Sequence, residues 1–146
     1  MTGSIGVLAG VDQLLADARS TYRRVTAEEA SEAVADGAVI VDIRPAWQRA
    51  EEIPGAVIIE RNHLEWRLDP ASSARVEQAT ADQRWIIVCQ EGYASSLAAA
   101  SARRLGIDVT DVIGGIEAWR AAGLALVNGP TDVGRFVASE SEGSTS

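Results

Sequence analysis

The sequence predicts an α/β fold: a mostly parallel, twisted sheet of four to five strands with helices on both faces. Three short runs rich in Val and Ile, "AVIVDI", "GAVIIE" and "RWIIVC", are expected to form strands that are covered on both sides. Helical patterns lie before and between these runs. Strands that alternate with helices are typical of a parallel sheet.

The strands are expected where these runs occur. "AVIVDI" predicts a first strand that ends near Asp42, because Pro45 follows soon afterwards. A Pro-Gly turn signal precedes a second strand at 56–59. "RWIIVC" predicts a third strand at 84–89, and "VTDVIGG", from residue 109, predicts a fourth and shorter one.

Two helices are predicted before the first strand. Apolar residues spaced as on one helical face predict a helix over 11–21. A second helix, over roughly 26–36, begins with Thr26 and Glu29 at the spacing of a capping box and ends at Gly37.

Three more helices are expected later in the chain. A polar loop after the second strand leads into a short helix near 71–79. "SSLAAASARRLG" predicts a helix with a serine as N-cap and Gly106 as C-cap. "GIEAWRAAGL" predicts a last helix that ends at Gly123 and packs Trp119 into the core.

Length and composition are those of one domain in a reducing compartment. The 146 residues divide into an N-terminal helical extension over 1–24, an α/β domain over 25–128 and a C-terminal tail over 129–146, which is expected to be partly disordered. One Cys and one His give neither an intramolecular disulfide nor a set of zinc ligands, so no metal is predicted. We expect a cytoplasmic protein that is a monomer or a homodimer.

The charge excludes two classes of partner. A formal net charge of −8 would not attract nucleic acid or an anionic membrane over long range. No apolar run approaches the length of a membrane span. Neither nucleic acid nor membrane is therefore predicted as a partner.

The site is expected at one edge of the sheet, because ligands of parallel α/β sheets bind beyond the carboxyl ends of the strands. The residues that follow the four predicted strands are Asp42 and Arg44; Glu60, Arg61 and His63; Cys89 to Ser95; and Gly114 with Gly115. The only thiol of the chain therefore lies at this edge.

The residues after Cys89 suit the binding of an anion. A chain that turns at once from a strand into a helix can direct the backbone N–H groups from Gln90 to Ser96 at one point. Together with the positive end of the helix dipole, these groups stabilise a thiolate, so Cys89 is expected to be a solvent-accessible, reactive thiol. Gly92 is expected to adopt a positive φ, and Ser95 is expected to help cap the helix and offer a hydroxyl donor.

Other interpretations of a lone cysteine are less favourable. A thiol at the end of a strand is often only a core residue, but the loop that follows Cys89 favours a reactive one. A cysteine protease needs a His near the thiol; His63 is the only candidate, and nothing indicates an orienting Asn or Asp. A phosphatase of the C-x5-R type needs an Arg six residues after the Cys, where this chain has Ser95.

Three segments resemble a known family. "VIVDIRPAWQRAEEIPGAVII", "IIVCQEGYASSLAAASARRLG" and "VTDVIGGIEAW" are similar to the ordered signatures of the rhodanese-like sulfurtransferase family, over about residues 38–120. The motifs "D-x-R", "IPGA", "C-x-x-G" and "GG-x-x-AW" occur together and in the family's order. The resemblance implies a rhodanese-like fold and a single-domain sulfurtransferase.

The resemblance also implies a mechanism and its partners. Cys89 would take a sulfane sulfur from a small molecule or a persulfide-bearing protein, become a persulfide, and pass the sulfur to a thiophilic acceptor without a cofactor. The loop that would hold this sulfur comprises Gln90, Glu91, Gly92, Tyr93, Ala94 and Ser95. The alternatives are a non-catalytic rhodanese module acting in protein binding or regulation, and a reductase or phosphatase acting on an oxyanion.

Supporting residues are expected around the loop. Asp42 is expected to hold a turn or pair with Arg44, with orientation of the cysteine loop as the alternative. The loop contains Glu91 and no basic residue, whereas family members with an efficient thiosulfate reaction often carry basic residues there. We therefore expect weak thiosulfate activity, with Arg61 or Arg67 as the candidate source of positive charge.

Overall fold

The computed structural model describes residues 9–133. The helices are α1 (Gly10–Arg19), α2 (Ala27–Ala35), α3 (Leu64–Leu68), α4 (Ala94–Arg103) and α5 (Gly115–Ala121). The strands are β1 (Val39–Asp42), β2 (Glu51–Glu52), β3 (Val57–Ile58), β4 (Arg84–Val88), β5 (Asp108–Asp111) and β6 (Val127–Asn128). Single turns of 3₁₀ helix occupy Ala46–Gln48 and Arg61–His63.

Four strands form a parallel sheet in the order β3-β1-β4-β5. Asp42 at the end of β1 pairs with Val88 at the end of β4, and Ile87 pairs with Asp111 at the end of β5. The carboxyl ends therefore meet at one edge, as the sequence predicted, and Cys89 is the first residue beyond it on β4.

Helices cover both faces of the sheet, which confirms the predicted α/β class. On one face, Val41 and Ile87 pack with side chains of α3 and α4. On the other, Ile40 and Ile86 pack with side chains of α2 and α5. Because successive residues of each strand point to opposite faces, two buried faces require the unbroken apolar runs seen in the sequence. Helix α1 packs on α4.

The start of α2 confirms the predicted capping box. The Glu29 N–H donates to Thr26 Oγ1 at 3.1 Å, and the Thr26 N–H donates to Glu29 Oε1 at 2.8 Å. These bonds satisfy two of the N–H groups that a helix leaves unpaired at its first turn. The local sequence signal was sufficient here because both partners lie three residues apart.

The helix predicted near 71–79 is wrong, because this segment consists of turns. Side chains bind the backbone here: Asp69 Oδ1 accepts from the Ala71 N–H at 2.9 Å, and Ser72 Oγ accepts from the Ala74 N–H at 3.0 Å. Such bonds compete with helical ones. The helix forms earlier, as α3, in the stretch expected to be a loop, where it buries Leu64 and Leu68 completely.

Strands β2 and β6 form an antiparallel ribbon that the sequence did not predict. Each has only two residues, too few for a recognisable pattern. A buried pair, Arg49 Nη1 to Glu52 Oε2 at 2.5 Å, lies beside it, and Thr131 Oγ1 donates to Glu52 Oε1 at 2.6 Å. These bonds tie the start of the predicted tail to the domain.

Two other sequence predictions concern the ends and the membrane. Most of the tail that was expected to be partly disordered lies outside the described residues. Within residues 9–133, no helix has the length and apolar character needed to cross a membrane.

Candidate active site

Cys89 lies directly after β4, with five residues between it and Ser95 in the first turn of α4. Its side chain is buried, with 7% of the residue exposed, and packs in the core cluster that contains Ala98 and Ala99. The expectation of an openly solvent-accessible thiol is therefore wrong. The N–H groups of Gly92 and Ser95 in the loop lie against the sulfur and contribute to this burial.

Two backbone N–H groups of the loop face the sulfur. The Gly92 N–H lies 3.2 Å and the Ser95 N–H 3.3 Å from Cys89 Sγ. The thiol in turn lies 3.2 Å from Ser95 Oγ, to which it donates. Two N–H donors directed at one sulfur stabilise negative charge on it, which is the arrangement that the turn from strand to helix predicted.

Glycines let three segments meet at this loop. Gly92 has φ +90°, as predicted, and a Cβ on it would lie 2.8 Å from the Gly114 nitrogen. A Cβ on Gly115 would overlap the carbonyl oxygen of Cys89. That oxygen accepts from the Ile116 N–H at 2.9 Å. The first turn of α5 thus holds the backbone of the cysteine in place.

The serines at the start of α4 do not cap it, so that expectation is wrong. The N-cap residue is Tyr93, and no side chain caps the helix. Ser95 Oγ and Ser96 Oγ instead donate to Asp111 Oδ2 at 2.7 Å and 3.0 Å. A buried carboxylate without hydrogen-bond donors costs more free energy than an uncapped helix N-terminus, so the serine hydroxyls bind Asp111.

Asp111, at the end of β5, is fully buried and is the centre of this network. Besides the two serines, its carboxylate accepts from the Tyr22 hydroxyl at 2.7 Å and from Arg24 Nε and Nη2 at 2.9 and 3.0 Å. Burial raises the pKa of Tyr22, and its hydrogen bond to Asp111 raises it further, so Tyr22 stays an O–H donor.

Arg24 is held in its charged form by the same carboxylate. Burial opposes the charge of Arg24, but the hydrogen bond to Asp111 and the negative charge of Asp111 outweigh burial and raise the pKa of the guanidinium. A permanent cation therefore lies beside the cysteine loop.

A second arginine from the N-terminal segment reaches the loop. Arg19 Nη2 donates to the Gly92 carbonyl at 2.8 Å, and Arg19 Nε donates to Ser96 Oγ at 2.9 Å. Its guanidinium also lies over the Tyr93 ring, 5.8 Å from the centroid. Arg24 Nη2 donates to the same Gly92 carbonyl at 2.9 Å. These two residues bring positive charge to the loop from the N-terminal segment.

The structure does not bring Arg61 to the loop. Its Nη1 lies 3.1 Å from both carboxylate oxygens of Glu65, and Arg67 Nη1 donates to the Ala74 carbonyl at 2.7 Å. His63 lies beside Glu60, with 3.8 Å between Nδ1 and Oε2. These residues follow β3, which is separated from β4 by β1, so the same edge of the sheet does not imply the same site.

Asp42 and Arg44 form a buried pair, as expected. Arg44 Nη2 lies 2.8 Å from Asp42 Oδ2, and the Arg44 N–H donates to Asp42 Oδ1 at 3.0 Å. The same guanidinium donates through Nη1 to Gln90 Oε1 at 3.0 Å. The Gln90 amide also donates to Glu117. Asp42 therefore fixes Arg44, and Arg44 holds one residue of the cysteine loop.

The rest of the loop faces outward. Glu91, Tyr93 and Ala94 are exposed, which agrees with the expectation that the Glu91 carboxylate points to solvent. The outer surface of the loop is consequently acidic, whereas the inner side is lined by N–H donors and backed by Arg24. Within the described residues, no group of three or more His, Cys, Asp or Glu side chains is arranged to hold a metal ion.

Sequence reasoning missed Arg19, Tyr22, Arg24 and Asp111. Only Asp111 carried a usable signal, as a carboxylate that ends a buried strand at the edge where the cysteine lies. The other three lie in the predicted N-terminal extension. Arg19 is 73 residues and Arg24 is 68 residues before Gly92, so no local pattern links them to the loop.

The sequence has relatives of known type. The signature of the rhodanese-like domain matches residues 26–122. The chain is 31% identical over 102 residues to the thiosulfate sulfurtransferase GlpE of Pseudomonas savastanoi pv. phaseolicola. The aligned region covers 68% of this chain and 89% of that protein. It is 34% identical over 104 residues to GlpE of Pseudomonas entomophila, with 70% and 88% covered.

Solved structures show the same fold. A Rhodopseudomonas palustris protein of unknown function, described as a possible tyrosine phosphatase, superposes with a TM-score of 0.73 at 31% identity, covering 83% of this chain and 96% of that one. A rhodanese-related protein of Thermoplasma volcanium superposes with a TM-score of 0.60 at 24% identity, covering 73% and 98%. Since the matched region contains both the parallel sheet and the loop around Cys89, the chain belongs to the rhodanese-like domain family.

Proposed function

We propose that the protein is a sulfurtransferase in which Cys89 carries a sulfane sulfur as a persulfide. The observation that carries this proposal is the pair of N–H groups, from Gly92 and Ser95, that face Cys89 Sγ at 3.2 and 3.3 Å. They suit a Cys89 sulfur that reacts as a thiolate and returns to a thiolate when the acceptor takes the added sulfur. The sulfurtransferase relatives support the same chemistry.

In the first step, the Cys89 thiolate attacks the sulfane sulfur of a donor. A new S–S bond forms to Cys89, and the bond between the sulfane sulfur and the rest of the donor breaks. Its electron pair leaves with the donor, as sulfite from thiosulfate or as a thiolate from a persulfide. The proton lost from the thiol goes to solvent or to the leaving group, and the loop N–H donors stabilise the charge on the sulfur.

In the second step, a thiophilic acceptor attacks the outer sulfur of the persulfide. The S–S bond to Cys89 breaks, and its electron pair returns to Cys89 as a thiolate. The acceptor leaves with one added sulfur, so no external oxidant or reductant is consumed. Gln90 to Ser95 form the loop that holds the transferred sulfur, and Asp42 supports it through Arg44 and Gln90.

The charge around the loop indicates which donors are preferred. The exposed Glu91 and the net charge of −8 oppose a dianion such as thiosulfate, so we propose that a less charged donor, or a persulfide on another protein, is used more efficiently. Thiosulfate remains the small donor to measure first, because the curated relatives are thiosulfate sulfurtransferases.

Intact mass spectrometry tests the proposal. After incubation with thiosulfate or with a low-molecular-weight persulfide, the protein should gain one sulfur, lose it again to a thiol or cyanide acceptor, and gain none as Cys89→Ser. Ser101→Ala, which alters a hydroxyl bound to Glu65 on the far part of α4, is the control and should gain the sulfur normally. If no donor adds a sulfur, the non-catalytic module becomes the better explanation.

Hydrolysis of a phosphate ester is less well supported. The Rhodopseudomonas palustris neighbour is a possible tyrosine phosphatase, but in this chain Ser95 replaces the Arg that a C-x5-R phosphatase uses to bind phosphate. The Ser95 hydroxyl donates its hydrogen bond to the buried Asp111 carboxylate and so is not directed at a phosphate. An aryl phosphate should therefore be hydrolysed no faster by the protein than by Cys89→Ser.

A further inference from the structure

Two arginines from outside the matched domain converge on one carbonyl of the cysteine loop. The Gly92 oxygen accepts from Arg19 Nη2 at 2.8 Å and from Arg24 Nη2 at 2.9 Å, whereas the family match begins only at residue 26. Hydrogen bonds from guanidinium groups are stronger than neutral ones. They hold one peptide group of Gly92, while the N–H of its other peptide group faces Cys89 Sγ.

Arg24 is fixed by the same carboxylate that fixes the second N–H donor. Its Nε and Nη2 bind the two oxygens of Asp111, and Asp111 Oδ2 also accepts from the Ser95 hydroxyl. The Ser95 N–H is the other group that faces the sulfur. One ion pair therefore connects the N-terminal segment to both donors of the loop.

The two arginines also change the charge at the sulfur. The six residues from Cys89 to Ala94 contain no basic residue and one acidic residue, Glu91. The side chain of Arg24 is only 15% exposed, so its charge is screened less than that of a surface arginine. Arg24 Nη2 donates to the Gly92 carbonyl at 2.9 Å, so this charge lies directly at the loop that surrounds Cys89.

We propose that Arg19 and Arg24 are positioning residues of the active site, which fix the backbone at Gly92, so that its N–H faces the sulfur, and supply the positive potential that the loop itself lacks. Residues 10–24 then contribute to the site, although they lie outside the matched domain. A lower rate of sulfur transfer in arginine variants rests on the proposed function. A changed rate of Cys89 alkylation requires only that the thiol be present.

Alkylation of Cys89 measures this potential without sulfur chemistry. Iodoacetate is an anion and iodoacetamide is neutral, and both react with the thiolate. The ratio of their rate constants cancels changes in thiolate fraction and reports the charge that the anionic reagent meets. At low ionic strength, Arg19→Gln should lower this ratio by about fivefold, the effect of one partly exposed charge. Arg19→Lys keeps the charge and should restore most of the ratio.

The control is Arg23→Gln, which removes the same charge one residue before Arg24. Its side chain is 76% exposed and pairs with Glu29 rather than with the loop, so the ratio should stay near that of the wild type. Arg19→Gln is expected to fold, because its partners, the Gly92 carbonyl and Ser96 Oγ, are neutral. Arg24→Gln would leave Asp111 short of a cation, so thermal unfolding must show that this variant is folded before it is used.

The outcomes separate the two proposals. An Arg19→Gln ratio equal to that of Arg23→Gln, in folded proteins, overturns the claim that the arginines supply the positive potential at the sulfur, and an unchanged iodoacetamide rate in the same variant overturns the positioning of the loop. A lowered ratio in a protein that forms no persulfide with any donor would instead sink the proposed sulfur transfer and leave the role of the arginines standing. If both proposals hold, kcat/KM for a persulfide donor should fall in Arg19→Gln and recover in Arg19→Lys.

Discussion

The Ser95 hydroxyl donates at 2.7 Å to the fully buried carboxylate of Asp111, while the Ser95 N–H faces Cys89 Sγ at 3.3 Å. A single residue therefore connects the Cys89 sulfur to the end of the neighbouring strand. Because Asp111 also binds Arg24 and Tyr22, the position of Ser95 depends on the end of β5 and on the segment that follows α1.

Replacement of Asp111 by Asn should weaken both the fold and the site. Arg24 would lose its buried partner, a change that typically costs about 3–5 kcal/mol of the free energy of unfolding. Sulfur transfer should fall by about tenfold or more, since even 1.4 kcal/mol at the transition state has that effect. Urea unfolding and donor kinetics measure the two losses.

The matched control for Asp111→Asn is Asp108→Asn, three residues earlier on the same strand. The Asp108 side chain is 62% exposed and lies 3.9 Å from Arg84, so its loss should cost no more than about 1 kcal/mol. Equal effects of the two substitutions would show that the buried network does not hold the site.

Gly92→Ala should reduce sulfur transfer more than it reduces stability. The new Cβ would lie 2.8 Å from the Gly114 nitrogen, so the peptide whose N–H faces the sulfur has to shift. Gly106→Ala is the control, because Gly106 has a similar φ of +84° but a Cβ added there would meet no atom within 4 Å. Both variants should lose about 1–3 kcal/mol from backbone strain. Retained activity in folded Gly92→Ala would show that the loop tolerates the shift.

Glu91→Arg should raise kcat/KM for thiosulfate by about fivefold, because it replaces repulsion of the dianion by attraction. The gain should shrink as ionic strength rises. Glu77→Arg makes the same change in net charge at another exposed position; its neighbour Gln78 lines a cleft with Ala38 and Val39 at the opposite edge of the sheet. Equal gains in both variants would assign the effect to net charge rather than to the loop.

The contribution of Glu52 to stability should depend on pH. Burial raises the pKa of Glu52, but hydrogen bonds from Thr131 and the bond to Arg49 outweigh burial and leave the pKa below its usual value. A carboxyl whose pKa is lowered by folding stabilises the protein above its unfolded pKa, and this stabilisation is lost as the pH falls through the folded pKa.

Glu52→Gln should therefore be less stable than the wild type at neutral pH, and the difference should narrow below about pH 4. Urea unfolding of both proteins over this pH range measures it. Glu28→Gln, on the exposed face of α2, is the control and should show little difference at either pH. A difference in the free energy of unfolding between Glu52→Gln and the wild type that does not change with pH would contradict a stabilising role of the ionised carboxylate.

The features that depend on neighbouring residues could be predicted from the sequence. The unbroken apolar runs predicted the parallel strands, since a strand buried on both faces needs apolar residues at every position. Thr26 and Glu29 predicted the start of α2, and Cys89 followed by Gly92 predicted a loop whose N–H groups face the sulfur. In each case the interacting groups lie within a few residues, so their spacing along the chain carries the information.

The residues that complete the site become apparent only in the folded chain. Arg19 and Arg24 reach Gly92 because α1 packs on α4, and the burial of Asp111 draws Ser95 and Ser96 away from capping α4. Arg61, one of the two candidates for the positive charge at the loop, instead pairs with Glu65. The partner of a long arginine side chain depends on burial and charge in the folded protein, where several distant residues lie within its reach. The spacing of residues along the chain does not indicate which of them it binds.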